Sequence, residues 1–130
     1  MWRWDETDGP AFTLELCESE LSTRAYIIRQ MLTCGIEMNL VELAVCRAVA
    51  VKLVAFAIAW LDSRLDLANV ASDHADPRLE IAVLQLVETR DEIARNDLEA
   101  RELVLALDAA AALLHDAQKA CTGRLGSLPN

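Results

Sequence analysis

Residues that interrupt helices are nearly absent from the interior of this chain. Between residues 11 and 122, glycine and proline occur once each, as Gly35 and Pro77. Strands joined by tight turns need many such residues, whereas the alanine and leucine that dominate here are the strongest helix formers. The sequence therefore predicts an all-α protein whose helices are interrupted near these two positions.

The length and apolar content fit one domain with a substantial core, since 54% of the 130 residues are hydrophobic. We expect a polar N-terminal leader at residues 1–12, a helical bundle domain at residues 13–121 and a flexible C-terminal tail at residues 122–130. The leader contains Trp2 and Trp4, which would dock either on the protein's own helices or on a partner.

The first two predicted helices differ in how their apolar residues are arranged. The first, between Thr13 and Gly35, has one apolar face, formed by Leu14, Cys17, Leu21, Ala25, Ile28 and Leu32. A short strand at residues 12–16, with the helix beginning only at Ser19, is the alternative. The second, at residues 39–70, opens with a capping sequence from Asn39 to Glu42. Its apolar residues surround the whole helix, which is typical of a central helix packed on several sides.

The most apolar part of the second helix invites comparison with a membrane span. The stretch from Ala48 to Leu61 has 14 residues and contains Lys52, and extension toward the N-terminus soon adds Arg47 and Glu42. A span needs about 20 apolar residues, and each central charge costs roughly 2.5–3.5 kcal/mol. The N-terminus also lacks the apolar segment of a signal peptide. We therefore expect a cytoplasmic protein in which this segment is a core helix, and no membrane span.

The longest pattern follows Pro77. Apolar residues recur every seven positions from Leu79 to Cys121 without a break, and the companion positions three residues further on have a polar interruption at Thr89 and Asn96. An unbroken helix of this length, about 60 Å, would extend beyond the two shorter helices. We predict a helical bundle of three long helices completed by dimerisation, or of four helices if the third breaks near Asn96. The predicted seam with the second copy consists of Leu86, Ile93, Ala100, Leu103 and Leu107.

The net charge of −9 is spread along the chain, and no segment is basic. Direct binding of nucleic acid is therefore not expected. The acidic surface either serves solubility or faces a basic protein partner. Its candidate residues are Asp91, Glu92 and Glu99. This charge supports an alternative function, in which an acidic inhibitor or immunity-like protein binds a basic nuclease or nucleic-acid-binding complex.

No arrangement of residues in the sequence predicts catalysis, a metal site or a cofactor. The four cysteines are separated by 17, 12 and 75 residues, which matches no zinc pattern, and only two histidines, His74 and His115, are present. The helical carboxylates resemble, in composition only, those of magnesium-dependent all-α nucleotide pyrophosphohydrolases, but the Glu-Glu-x-x-Glu run of those enzymes is absent. The leading hypothesis is a non-enzymatic interaction protein that self-associates. A pyrophosphohydrolase is the second alternative.

Overall fold

The chain folds into α-helices joined by short connections. A computed structural model describes residues 9–70, 77–95 and 97–126, with side chains for residues 14–66, 77–95 and 97–121. Within these ranges lie four helices, α1 (Gly9–Thr33), α2 (Leu40–Val70), α3 (Pro77–Ile93) and α4 (Ala100–Gly126). The same ranges contain no strand, so the all-α prediction is confirmed and the alternative strand at residues 12–16 is wrong.

The third predicted helix is divided in the structure. Helix α3 ends at Ile93 and α4 begins at Ala100; Asn96 itself lies outside the described residues. In the connection, Arg95 donates two hydrogen bonds to Asp97, from Nε to Oδ1 at 3.1 Å and from Nη2 to Oδ2 at 2.9 Å. Glu102 then accepts a hydrogen bond from the backbone N–H of Glu99 at 3.1 Å, which satisfies a donor at the start of α4.

Two helices extend further than the sequence suggested. Helix α1 begins at Gly9, so the end of the predicted leader is helical. Pro10 lies in the first turn, where proline fits because the N–H groups of that turn have no partner within the helix. Helix α4 continues to Gly126, into the predicted tail. Once a helix is formed, each added residue contributes one more backbone hydrogen bond. This gain outweighs the low helix propensity of a single glycine. Trp2 and Trp4 lie outside the described residues.

Helix α1 ends in a Schellman motif. The N–H of Ile36 donates to the carbonyl of Met31 at 2.8 Å, and that of Gly35 donates to the carbonyl of Leu32 at 3.1 Å. Gly35 has a φ of +74°, a conformation that side chains with a Cβ disfavour. The prediction that Gly35 follows the end of the first helix is confirmed.

Helix α2 starts at the predicted cap. The side-chain Oδ1 of Asn39 accepts a hydrogen bond from the N–H of Glu42 at 2.8 Å. The Nδ2 of Asn39 donates to Oε1 of Glu42 at 2.6 Å. These contacts satisfy a free donor in the first turn and fix where the chain turns from α1 into α2.

The helices form an antiparallel ring in which each contacts its neighbours along the chain. Helix α1 packs against α2 and most extensively against α4, and α3 packs between α2 and α4. The direction of α1 relative to α4 follows from two pairs, Arg29 with Asp108 and Glu18 with Gln118. Moving toward the N-terminus of α1 therefore moves toward the C-terminus of α4. This is the arrangement of an up-and-down helical bundle.

The core comes from the predicted apolar face of α1 and from the heptad positions of α3 and α4. Buried side chains include Leu14, Leu21, Ile28, Leu79, Leu86, Ile93, Leu103, Leu107 and Leu114. Helix α2 differs from its prediction, because it buries only one face, formed by Ala50, Val54, Ala57, Ile58 and Leu61. The interpretation of α2 as a central helix packed on several sides is therefore wrong. Helix α2 packs against α1, α3 and, to a small extent, α4, and these helices all lie on the side that it buries.

Candidate interaction surface

The face of α2 that points away from the core is largely apolar. At about 100° per residue, the buried residues lie within an arc centred on Leu61. The opposite arc is exposed along its whole length, and we call it the outer face. It consists of Val41, Val45, Ala48, Lys52, Phe56, Ala59 and Ser63. These residues recur at steps of three and four and span about 33 Å.

Several large apolar side chains on α2 are well exposed. Val41 is 73% exposed, and Leu40, just before it, is exposed still further. Phe56 is 53% exposed in the second half of the helix. Single exposed apolar residues are ordinary on protein surfaces, but a continuous apolar strip marks a site of interaction with another molecule.

Between residues 41 and 63, Lys52 is the only charged residue of the outer face; the exposed Asp66 follows on the same side of α2, just beyond Ser63. Lys52 is exposed, and apolar residues of the same face lie one turn before it, at Ala48, and one turn after it, at Phe56. Toward the other end of α2, the guanidinium of Arg64 lies 5.0 Å from the centre of the Trp60 ring, in a cation–π contact at the side of the strip.

A groove between α1 and α2 borders the N-terminal half of the outer face. Its volume is about 340 Å³, it is open to solvent, and its lining is almost wholly apolar. The lining residues are Arg24, Ile27, Ile28, Met31, Met38, Val41, Glu42, Val45 and Cys46. Val41 and Val45 belong to both the groove and the outer face, so the two form one surface. Methionine side chains adapt their shape, so Met31 and Met38 suit the groove to an apolar partner group.

The residues predicted to form a dimer seam lie inside the bundle. Leu86, Ile93, Leu103 and Leu107 are each fully buried within a single chain, and Ala100 is half-buried. The seven-residue pattern thus marks residues that pack between the helices of one chain. Contact of these residues with a second copy stays a prediction, and it would require the bundle to open.

The predicted acidic face lies around the connection between α3 and α4. Asp91, Glu92 and Glu99 are all exposed there. Glu99 and Glu102 lie at the start of α4, where negative charge is favourable because the helix dipole places its positive end there. Arg95 beside Asp97 lowers the pKa of that carboxyl group, chiefly through their hydrogen bonds. Local helix capping therefore involves part of this acidic surface.

The candidate metal ligands are not brought together. Among the described residues, no three histidine, cysteine or acidic side chains lie close enough to share a metal ion. His115 is exposed, and its Nδ1 lies 3.4 Å from the carboxylate of Glu18 on α1. His74 lies outside the described residues. The carboxylates compared above with those of pyrophosphohydrolases do not form a cluster in the described part of the chain.

The four cysteines are free thiols in different environments. Cys17 lies on the face of α1 that is buried in the core. This burial raises the pKa of its thiol, and the nearby charge of Glu20 raises it further. Cys34 is exposed at the end of α1, and Cys46 and Cys121 are half-buried. Among the four thiols, only that of Cys17 is fully buried.

Helix α2 also has the length and apolarity of a membrane-spanning helix. The candidate span, Leu40–Asp66, has 27 residues, and 22% of its most apolar window is buried. A core helix with the same composition would be mostly buried. The sequence already contained the signal for this surface, since apolar residues on all sides of α2 must either be enclosed by other helices or remain exposed.

The fold and its exposed strip thus define the chain as a helical bundle with an exposed apolar strip on α2. No protein-family model matches the chain, and neither the curated proteins nor the solved structures gave a match. Its function is therefore argued from the surface itself.

Proposed function

We propose that this protein is an interaction protein that self-associates through the outer face of α2. The observation that carries the proposal is the row of exposed apolar side chains from Val41 to Phe56. Removing apolar surface from water is favourable by about 25 cal/mol per Å². A second copy presents the same surface, and self-complementary contacts of this kind are the commonest basis of symmetric dimers.

The size of the outer face sets the strength expected of the contact. A strip about 33 Å long and about 10 Å wide has a footprint on the order of 330 Å². Stable interfaces bury about 800 Å² per partner, so α2 alone provides a modest contact even when the adjoining groove contributes. We therefore expect a dimer with a dissociation constant in the micromolar range, and a chain that folds without its partner.

A membrane is the second candidate partner for the same helix, favoured by the length and apolarity of Leu40–Asp66 and by its low burial. Lys52 argues against it, because this cation lies near the middle of the exposed apolar strip. In a dimer, a charge near the contact can face an opposite charge on the partner or remain in water at the rim. In hydrocarbon it is costly, at roughly 2.5–3.5 kcal/mol on insertion scales.

The proposal is tested by measuring mass against concentration. Sedimentation or gel filtration with light scattering, from about 1 to about 200 μM, should show a transition from the 14.3 kDa chain to twice that mass. Val45→Glu places a charge in the outer face and should shift the transition to higher concentration. Leu105→Glu is the matched control on α4, since Val45 and Leu105 are 56% and 69% exposed and neither supports the core.

Three results would contradict self-association through α2. They are a monomer mass at every concentration, an equal response to both substitutions, and recovery of the wild-type chain with floated phosphatidylcholine vesicles while it stays monomeric without them. The last result would favour the membrane. Circular dichroism of both variants serves to verify that the helices remain folded.

A further inference from the structure

The large apolar residues of the outer face are arranged almost symmetrically about one small residue. Val41 and Phe56, the outermost of these residues, lie seven positions before and eight positions after Ala48. Ala48 is itself exposed on the outer face and has the smallest side chain that still favours a helix. A two-fold axis at this residue would let two antiparallel α2 helices approach closely while covering the apolar residues at both ends of the contact.

The charges of α2 agree with the same axis. With the axis at Ala48, Lys52 of one copy lies opposite residue 44 of the other, two residues or about 3 Å along the helix from Glu42. A lysine side chain spans that offset easily. The axis therefore places the cation of the apolar strip beside an opposite charge of the second copy, and it does so twice. An axis at residue 57 would instead pair Lys52 with Asp62, but would leave Val41 uncovered.

The groove between α1 and α2 receives a defined residue in this arrangement. Phe56 of the second copy lies opposite residue 40, within about 2 Å along the helix of Val41, which lines the groove. Phe56 also lies eleven residues after Val45, so the two project within about 20° of each other and share one edge of the outer face. The two-fold axis is perpendicular to the plane that contains both helix axes. That edge therefore lies on the same side of this plane in both copies. The aromatic ring therefore meets the groove rather than the opposite side of α2.

We propose that a second copy docks antiparallel on α2 about a two-fold axis at Ala48, so that Phe56 of each copy enters the α1–α2 groove of the other. This inference rests on the self-association proposed above and specifies its geometry. The groove, at about 340 Å³, has room for a phenyl ring, and its methionines can close around it. An aromatic side chain held in an apolar pocket is a typical energetic centre of an interface.

The first test removes the inserted ring. Phe56→Ala should raise the dissociation constant of the dimer at least tenfold, because the dimer loses two such contacts. The matched control is Ile81→Ala on α3, since Phe56 and Ile81 are both 53% exposed in the single chain. The control should change the dissociation constant less than about threefold. Sedimentation equilibrium gives both values, with circular dichroism to verify the fold.

The second test exchanges charges across the axis. Lys52→Glu alone should weaken the dimer about tenfold, since each of two pairs becomes repulsive. Adding Glu42→Lys should restore it to within about threefold of the wild type, whereas adding Asp62→Lys should not. The double variant keeps the hydrogen bond from the backbone N–H of residue 42 to Asn39 Oδ1 and loses the one from Asn39 Nδ2 to the Glu42 carboxylate.

The outcomes separate the geometry from the function. A wild-type chain that never dimerises overturns both. A dimer that is insensitive to Phe56→Ala, or that is rescued by Asp62→Lys instead of Glu42→Lys, overturns the axis at Ala48 and leaves self-association through α2 standing.

Discussion

Replacing Ile93 with alanine tests whether the long heptad pattern packs one chain together or joins two. Ile93 is 0% exposed within a single chain and closes the C-terminal end of α3 over the core. Truncation of a fully buried isoleucine to alanine costs about 2–5 kcal/mol, which combines lost apolar burial with the cavity left behind. We expect the upper half of this range, because Ile93 is fully enclosed among the buried residues of the core, so that its truncation leaves a cavity.

The matched control lies on the same helix. Ile81 is 53% exposed, so Ile81→Ala removes the same atoms from a position that retains much of its contact with water. Its cost should be below about 1 kcal/mol. Because the residue type and the helix are identical, the difference between the two variants measures burial within the chain.

Urea denaturation followed by circular dichroism gives both free energies of unfolding. Measured at about 1 μM, where a micromolar dimer is largely dissociated, Ile93→Ala should already show its full loss of stability. If Ile93 instead served only as a contact between copies, the loss would be small at 1 μM and would grow with protein concentration. Equal costs for the two variants at low concentration would refute its assignment to the core.

Further predictions follow from local features of the structure. Gly35→Ala should destabilise the protein by about 1 kcal/mol in urea titrations, because its φ of +74° disfavours a Cβ although no atom lies within 4 Å of the added group. In the native protein, Cys34 should react with a thiol reagent well before Cys17, because Cys17 is buried and its burial raises the pKa of its thiol. In the unfolded chain the two thiols should react at similar rates. Arg95→Gln should raise the pKa of Asp97 toward its ordinary value in an NMR titration. In the native chain that carboxyl group favours folding above its unfolded pKa, and the contribution disappears as the pH falls through the lowered folded pKa. An unchanged Asp97 titration would contradict the assigned pair.

The apolar stripes of α1, α3 and α4 could be predicted from the sequence, because the apolar residues that recur at helical spacing are the ones that these helices bury. The heptad positions around Ile93 and Ala100 remain in phase although the chain reverses between them, since both ends of the six-residue connection lie beside the core. Periodicity alone therefore cannot separate one long helix from two that fold back. The outer face was missed for a related reason, because a helix that is apolar on all sides gives no periodic signal to say which side is covered.

The sequence by itself determined the elements that depend on neighbouring residues. The helical class, the cap at Asn39 and the end of α1 at Gly35 all follow from backbone preferences and hydrogen bonds made within a few residues. Only the tertiary structure decided which apolar residues are enclosed. The outer face of α2 is apolar yet exposed, and no local rule predicts this, because its burial depends on where every other helix packs. We propose that a second copy covers this exposed apolar surface of α2.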